Sequence, residues 1–153
     1  MAHTLDEIDR RILRALQRDA SESIDVLADK VGLSRNACWR RIKMLEAAGT
    51  ITKRVALVNP EALDLGLTVI VLIRTGQHET DWLEKFDKAV RTMPEIMGAY
   101  RMAGELDYML KIRVASVKDY DRFYQRLISK VPLQDISASF VMDDIKDTHE
   151  LPI

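Results

Sequence analysis

Apolar residues recur at helical spacing through the first third of the chain and in short β-branched runs through the rest. Leu5, Ile8, Ile12 and Leu16 form one stripe, and Thr4 with Glu7 fits a capping box ahead of them, which predicts a helix from Leu5 to Arg18. A second, shorter helix opens with Ser23 as N-cap, sets Ile24, Leu27, Ala28 and Val31 on one face, and stops at Gly32, where a glycine can reverse the chain. Ser34 caps a third helix that runs to about Ala48 with Cys38, Ile42 and Leu45 inward, and Gly49 ends it. Between Thr50 and Val58, Ile51, Thr52, Val55 and Val58 surround Lys53 and Arg54 and predict a short wing or strand. Asn59-Pro60 breaks that pattern, so residues 59–66 read as a linker with about one helical turn.

The second half alternates strand and helix. Leu67 to Thr75 is a β-branched apolar run, and Trp82, Phe86, Val90 and Met93 space a helix that ends before Pro94. Strands from Ile96 to Ala103 and from Asp107 to Val114 flank Gly104-Glu105, which suits a tight hairpin turn. Ser116 and Asp119 cap a helix carrying Val117, Tyr120, Tyr124 and Leu127, Pro132 closes it, and a last strand spans Ile136 to Asp143. The order βαββαβ puts two helices on one face of an antiparallel sheet, the ferredoxin-like arrangement. The expected fold class is therefore α+β: a winged helix-turn-helix at 1–58, a linker at 59–66 and a ferredoxin-like domain at 67–153. The other face of the sheet has no cover, and a second copy is the economical way to bury it. The tail from Asp144 to Ile153 is expected to lie over a neighbour or to be loose.

Composition narrows the setting. At 153 residues and 47% apolar content, the chain can build one respectable core or two small ones. It has neither an apolar run of about 18 residues nor an apolar leader, so no membrane partner is expected and a cytoplasmic site follows. The single cysteine, Cys38, forms no internal disulfide, and His3, His78 and His149 lack metal-ligand spacing, so neither a metal nor a cofactor is expected. The net charge of −1 is uneven: Leu33 to Arg54 holds six basic residues against one acid, a local +5 that leaves −6 elsewhere.

That cationic stretch coincides with the third helix. Helices of this length joined through Val31-Gly32-Leu33-Ser34 match a helix-turn-helix, whose second helix enters the major groove. With Cys38, Ile42 and Leu45 inward, an advance of about 100° per residue places Asn36, Arg40 and Lys43 nearly opposite, with Trp39 on a flank. Arg and Lys reach guanine O6 and N7, and Asn pairs with adenine N6 and N7, so these types suit base readout. Ser34 and Arg35 at the helix start, and Lys53 and Arg54 on the wing, are placed for phosphate. A basic helix face can instead be merely solvated; the turn glycine, the capped helices and the concentrated charge together favour DNA. Arg41 falls nearer the buried side, where an intramolecular salt bridge competes with phosphate. Trp39 either packs on the wing or meets thymine methyls, and Cys38 reads as a small core residue rather than a redox sensor.

LDEIDRRILRALQRDA at 5–20, LADKVGLSRNACWRRIKMLEAAGTI at 27–51 and MAGELDY at 102–108 resemble, in order and spacing, the leucine-responsive and asparagine-synthetase regulators, Lrp/AsnC. The resemblance implies a winged helix-turn-helix linked to an ACT-like βαββαβ regulatory domain, a double-stranded DNA partner, and homodimers that build tetramers or octamers. It also implies an amino-acid effector in a pocket between subunits, lined by a G-x-x-D loop that maps to Gly104 and Asp107 with Ala103 and Leu106 beside them, and with Ser137 and Ser139 as weaker candidates. Backbone N–H groups at a glycine turn can take a carboxylate and Asp107 can accept from an ammonium, but the same two residues also suit a plain turn and cap. MPEIMGAYRMAGELDY and the closing LPI are similar to a cysteine-responsive subgroup, which makes cysteine one candidate effector. Met93, Met97, Met102, Met109 and Met142 read either as a soft surrounding for sulfur or as core filler. Two other functions compete. A tetrapyrrole-pathway decarboxylase can share this architecture but needs no basic third helix, and the second half offers it no paired histidines; an architectural DNA-coating protein would bind DNA and sense nothing. The expected reading is a regulator, not an enzyme.

Overall fold

The computed structural model describes residues 4–75 and 80–153; His3 and His78 lie outside the described residues. Among the described residues five helices and four strands follow one another as α1 (Glu7–Arg18), α2 (Ile24–Val31), α3 (Arg35–Ala47), β1 (Leu67–Arg74), α4 (Thr80–Thr92), β2 (Ile96–Arg101), β3 (Tyr108–Val114), α5 (Val117–Lys130) and β4 (Asp135–Phe140). A short 3₁₀ turn, Glu61–Leu63, occupies the expected linker. Among the described residues no helix is long and apolar enough to cross a membrane.

The chain divides into two units. One runs up to Leu57 and takes in Lys146–Ile153; the other is Val58–Ile145. This departs from the expected boundary, because the last eight residues belong with the first unit, not with the sheet.

In the first unit, α1, α2 and α3 enclose Ile12, Leu13, Leu27, Ala28, Val31, Cys38, Ile42 and Leu45. The cap of α1 is Asp6, not Thr4: its side chain accepts from the Asp9 N–H while the Asp9 carboxylate accepts from the Asp6 N–H. Both spacings fit a capping box, and Asp9 is drawn to this one because its other partner, Arg41, waits on α3. Helix α2 closes on Gly32 at φ 72°, a left-handed turn that suits glycine, and the Leu33 N–H returns to the Ala28 carbonyl at 2.9 Å. Ser34 then caps α3 through the Ala37 N–H. Of the expected wing or strand, no strand forms: residues 52–58 carry no regular secondary structure, Ile51 packs on the core, and Val55, Leu57 and Val58 stay exposed.

In the second unit the sheet order is β2-β3-β1-β4, all antiparallel, which is the expected βαββαβ topology. Val69, Val71 and Ile73 of β1 alternate inward with Leu110, Ile112 and Val114 of β3, because a strand sends every second side chain to one face. That face packs with Trp82, Phe86, Ala89 and Met93 of α4 and Tyr120, Phe123 and Leu127 of α5. The ring of Trp82 stacks on Phe86 at 5.1 Å, and its indole N–H donates to the Pro132 carbonyl at 2.8 Å, so this buried polar group is satisfied. On α5 the buried stripe centres on Phe123; Val117, expected inward, is exposed in the first turn. The β2–β3 connection is a six-residue loop, 102–107, rather than a tight turn at Gly104-Glu105. Gly104 sits there at φ 143°, a region other residues rarely adopt, and the Met102 N–H meets the Asp107 carbonyl at 2.8 Å.

Candidate nucleic-acid interface

Helix α3 fixes the candidate surface. Cys38, Ile42 and Leu45 are buried, so its opposite face must be free, and Ser34, Arg35, Asn36, Trp39, Arg40 and Lys43 are all exposed. Ser34, Asn36, Ala37, Trp39 and Arg40 border a shallow depression of about 460 Å³. Asn36, Trp39, Arg40 and Lys53 have no side-chain partner among the described residues, which leaves their polar groups to solvent or a ligand. Arg35 lies 3.6 Å from Asp25, a loose exposed pair. Trp39, 56% exposed, is not packed away on the wing segment.

One acid organises the C-terminal end of this surface. Glu46 accepts from Lys43 Nζ at 2.7 Å and from Arg54 Nη2 at 2.9 Å, bridging the helix to the segment after it. These cations hold its carboxyl below the ordinary glutamate range, the Lys43 hydrogen bond first among the causes. In the sequence Glu46 stands out only as the lone acid of the cationic stretch, and its i,i+3 spacing from Lys43 is the signal for the bridge.

Arg41 is committed elsewhere. Its Nη1 donates to Asp6 Oδ2 at 2.7 Å and to Asp9 Oδ1 at 2.8 Å, and the Asp9 side chain is only 1% exposed. This charge-assisted pair ties α3 to α1, so Arg41 orients the helix instead of offering a free phosphate contact. The Asp9 N–H bond and the Arg41 guanidinium hold the Asp6 carboxyl below the ordinary aspartate range. Burial pushes the Cys38 thiol up, which suits a core residue.

The candidate effector residues lie in the second unit. Ala103 and Gly104 are exposed on the 102–107 loop, and Leu106 and Asp107 are half-buried at its end. Asp107 Oδ2 already accepts from the Thr75 N–H at 2.7 Å, and its own N–H donates to the Ile73 carbonyl at 3.0 Å, so this carboxylate caps the end of β1. Ser137 and Ser139 are exposed and pair in register with Leu72 and Ile70 of β1, on the face away from the helices. Tyr100 lies over Gly98 on the same face, where any side chain at 98 would collide with its ring. Among the described residues no group of three or more His, Cys, Asp or Glu side chains is arranged to hold a metal.

Comparison with known proteins agrees with both halves. Residues 5–52 match the winged helix-turn-helix DNA-binding family, and residues 68–151 match the Lrp/AsnC ligand binding domain. The chain is 48% identical to the glutamate uptake regulatory protein of Zymomonas mobilis over 153 residues, covering all of this chain and 93% of that one. It is 47% identical to the DNA-binding transcriptional activator DecR of Escherichia coli over 150 residues, 97% of this chain and 99% of the other. A crystal structure of a Neisseria meningitidis transcriptional regulator in complex with L-methionine superposes with a TM-score of 0.93 at 35% identity, covering 97% of each chain. Relatives of this kind are regulators rather than decarboxylases, and the match over both halves establishes that the chain belongs to the Lrp/AsnC family of transcription regulators.

Proposed function

We propose that α3 enters the major groove of double-stranded DNA and reads bases through Asn36, Arg40 and Lys43, while Ser34, Arg35, Lys53 and Arg54 hold phosphates. The observation that carries this reading is the exposed face of α3, whose Asn36 and Arg40 have no side-chain partner among the described residues, opposite a buried Cys38, Ile42 and Leu45. Lys43 and Arg54 start out paired with Glu46, so on binding Lys43 gives up that carboxylate for a base edge and Arg54 gives it up for a phosphate. Trp39, exposed beside Arg40, adds an apolar contact for thymine methyls.

A homodimer presents two such helices to half-sites about 34–36 Å apart. Support for dimerisation comes from the helix-free face of the sheet, where Ile70, Leu72 and Met109 are only half-buried. Larger assemblies, tetramer or octamer, are built from this unit. The effector is an α-amino acid bound at Ala103, Gly104, Leu106 and Asp107, with Ser137 and Ser139 of a neighbouring sheet as further polar lining; the methionine-bound relative supports the ligand class. Methionine and cysteine are the first two to test. Because the Asp107 carboxylate has one oxygen engaged by Thr75, ligand binding uses its remaining acceptor capacity and the exposed loop backbone.

The test is a titration of a duplex from the region upstream of its own gene at rising salt, with and without each amino acid. A regulator loses affinity steeply with salt and shifts its midpoint with one amino acid. A DNA-coating protein shows the salt slope and ignores all twenty, as does its calorimetry.

A further inference from the structure

The last four residues, part of a tail expected to be loose or to lie over a neighbour, lie along α1 of their own chain. Four consecutive observations place them. Arg18 Nε donates to Glu150 Oε1 at 2.9 Å. The Gln17 side-chain amide grips the Leu151 backbone from both sides, its Oε1 accepting from the Leu151 N–H at 2.6 Å and its Nε2 donating to the Leu151 carbonyl at 3.3 Å. Arg14 Nη1 donates to the Ile153 carbonyl at 3.1 Å. The Ile153 side chain then joins Leu5, Ile8 and Leu16 at the edge of the three-helix core. A loose tail would leave its backbone to water; here a side-chain amide satisfies a backbone N–H and C=O as a strand neighbour would.

We propose that Glu150–Ile153 is a strap that positions the recognition helix, so that DNA affinity depends on whether the strap is seated on α1. This deepens the DNA-binding reading and rests on it. The strap holds α1; α1 holds α3 through the Arg41 pairs with Asp6 and Asp9 and through Ile12 and Leu13 in the shared core. The chain passes between its two units twice, near Leu57 and again near Ile145, and the second passage leads straight into the strap. The passage at Ile145 lies five residues after the end of β4, the strand that carries Ser137 and Ser139, and the strap begins five residues further on. A change at β4 therefore has a short covalent route to α1.

The full chain is compared with three kinds of variant: deletion of Glu150–Ile153, Gln17→Ala, and the charge reversals Arg18→Glu and Glu150→Arg, singly and together. Gln17→Ala guards against misfolding, since it removes the two amide hydrogen bonds at a half-buried position outside the three-helix core. Amide hydrogen exchange is read without DNA, and affinity is read by fluorescence anisotropy on the upstream duplex. Deletion and Gln17→Ala are expected to speed exchange across α1 by about threefold to tenfold while β1 and β3 keep their protection. Operator affinity falls in the same variants by about threefold to tenfold. Each single charge reversal weakens both readouts, and the double reversal, which restores the pair, recovers them. Unchanged exchange in α1 after deletion overturns the proposal, and so does a double reversal no better than the singles. If the native chain binds no DNA, the proposed function fails while the exchange result still reports on the strap.

Discussion

At the scale of single residues, the surface is tuned by which cations are free and which are held. Glu46 engages Lys43 and Arg54, so Glu46→Gln removes a charge that competes with phosphate and should tighten binding to unspecific duplex by about twofold to fivefold, steepening the salt slope. Anisotropy at several salt concentrations checks this, and an unchanged affinity would show that the bridge has no part in the interface. Asp6 behaves as a folded-state carboxylate with a lowered pKa, held down by the Asp9 N–H and Arg41. Its stabilising effect is complete above the unfolded aspartate value of about 3.9 and is lost as pH falls through the lower folded value. The Asp6→Asn chain should therefore be less stable at neutral pH and show a flatter loss of stability in acid, measured by denaturant melts from pH 7 to 2. The cap itself was only half legible in sequence. Thr4 with Glu7 and Asp6 with Asp9 both fit the spacing, and the choice between them is made by Arg41, which lies 32 positions from Asp9.

At the scale of elements, periodicity and caps carried most of the information. Ser23, Gly32, Ser34 and Gly49 mark α2 and α3 because caps and left-handed turns are local chemistry. The inward residues Cys38, Ile42 and Leu45 follow from the helix period, and their burial yields a direct expectation. Cys38 is 0% exposed with its thiol pushed up by burial, so a thiol reagent should label it slowly in the native protein and rapidly in denaturant. Fast native labelling at the unfolded rate would mean that α3 is not seated on α1 and α2. Elements that depend on a partner strand were read less well. The β-branched residues after Thr50 have strand propensity but no strand beside them in one chain, and 102–107 opens into a loop because Asp107 is drawn to the end of β1. On α5 the spacing points to Val117, which is exposed, while Phe123 is buried with Tyr120 and Leu127.

At the scale of the whole molecule, the two-part organisation was legible because its periods differ, helical up to residue 48 and alternating afterwards. The return of the C-terminus to the first unit was not. Its contacts join residues 132 to 139 positions apart, and no repeat in the sequence announces an amide gripping a backbone. The exposure of the α3 candidates follows from the helix period alone, whereas the loop at 103–107 and the serines of β4 have no local pattern that ties them together. All of this turns on α3 presenting its basic face to DNA. The most direct measurement is the affinity of the Arg40→Ala, Lys43→Ala double variant for the upstream duplex, alongside its circular dichroism and melting curve. Loss of sequence-specific binding by about a hundredfold or more with an unaltered fold is the predicted result. Native affinity in a folded double variant would contradict the account.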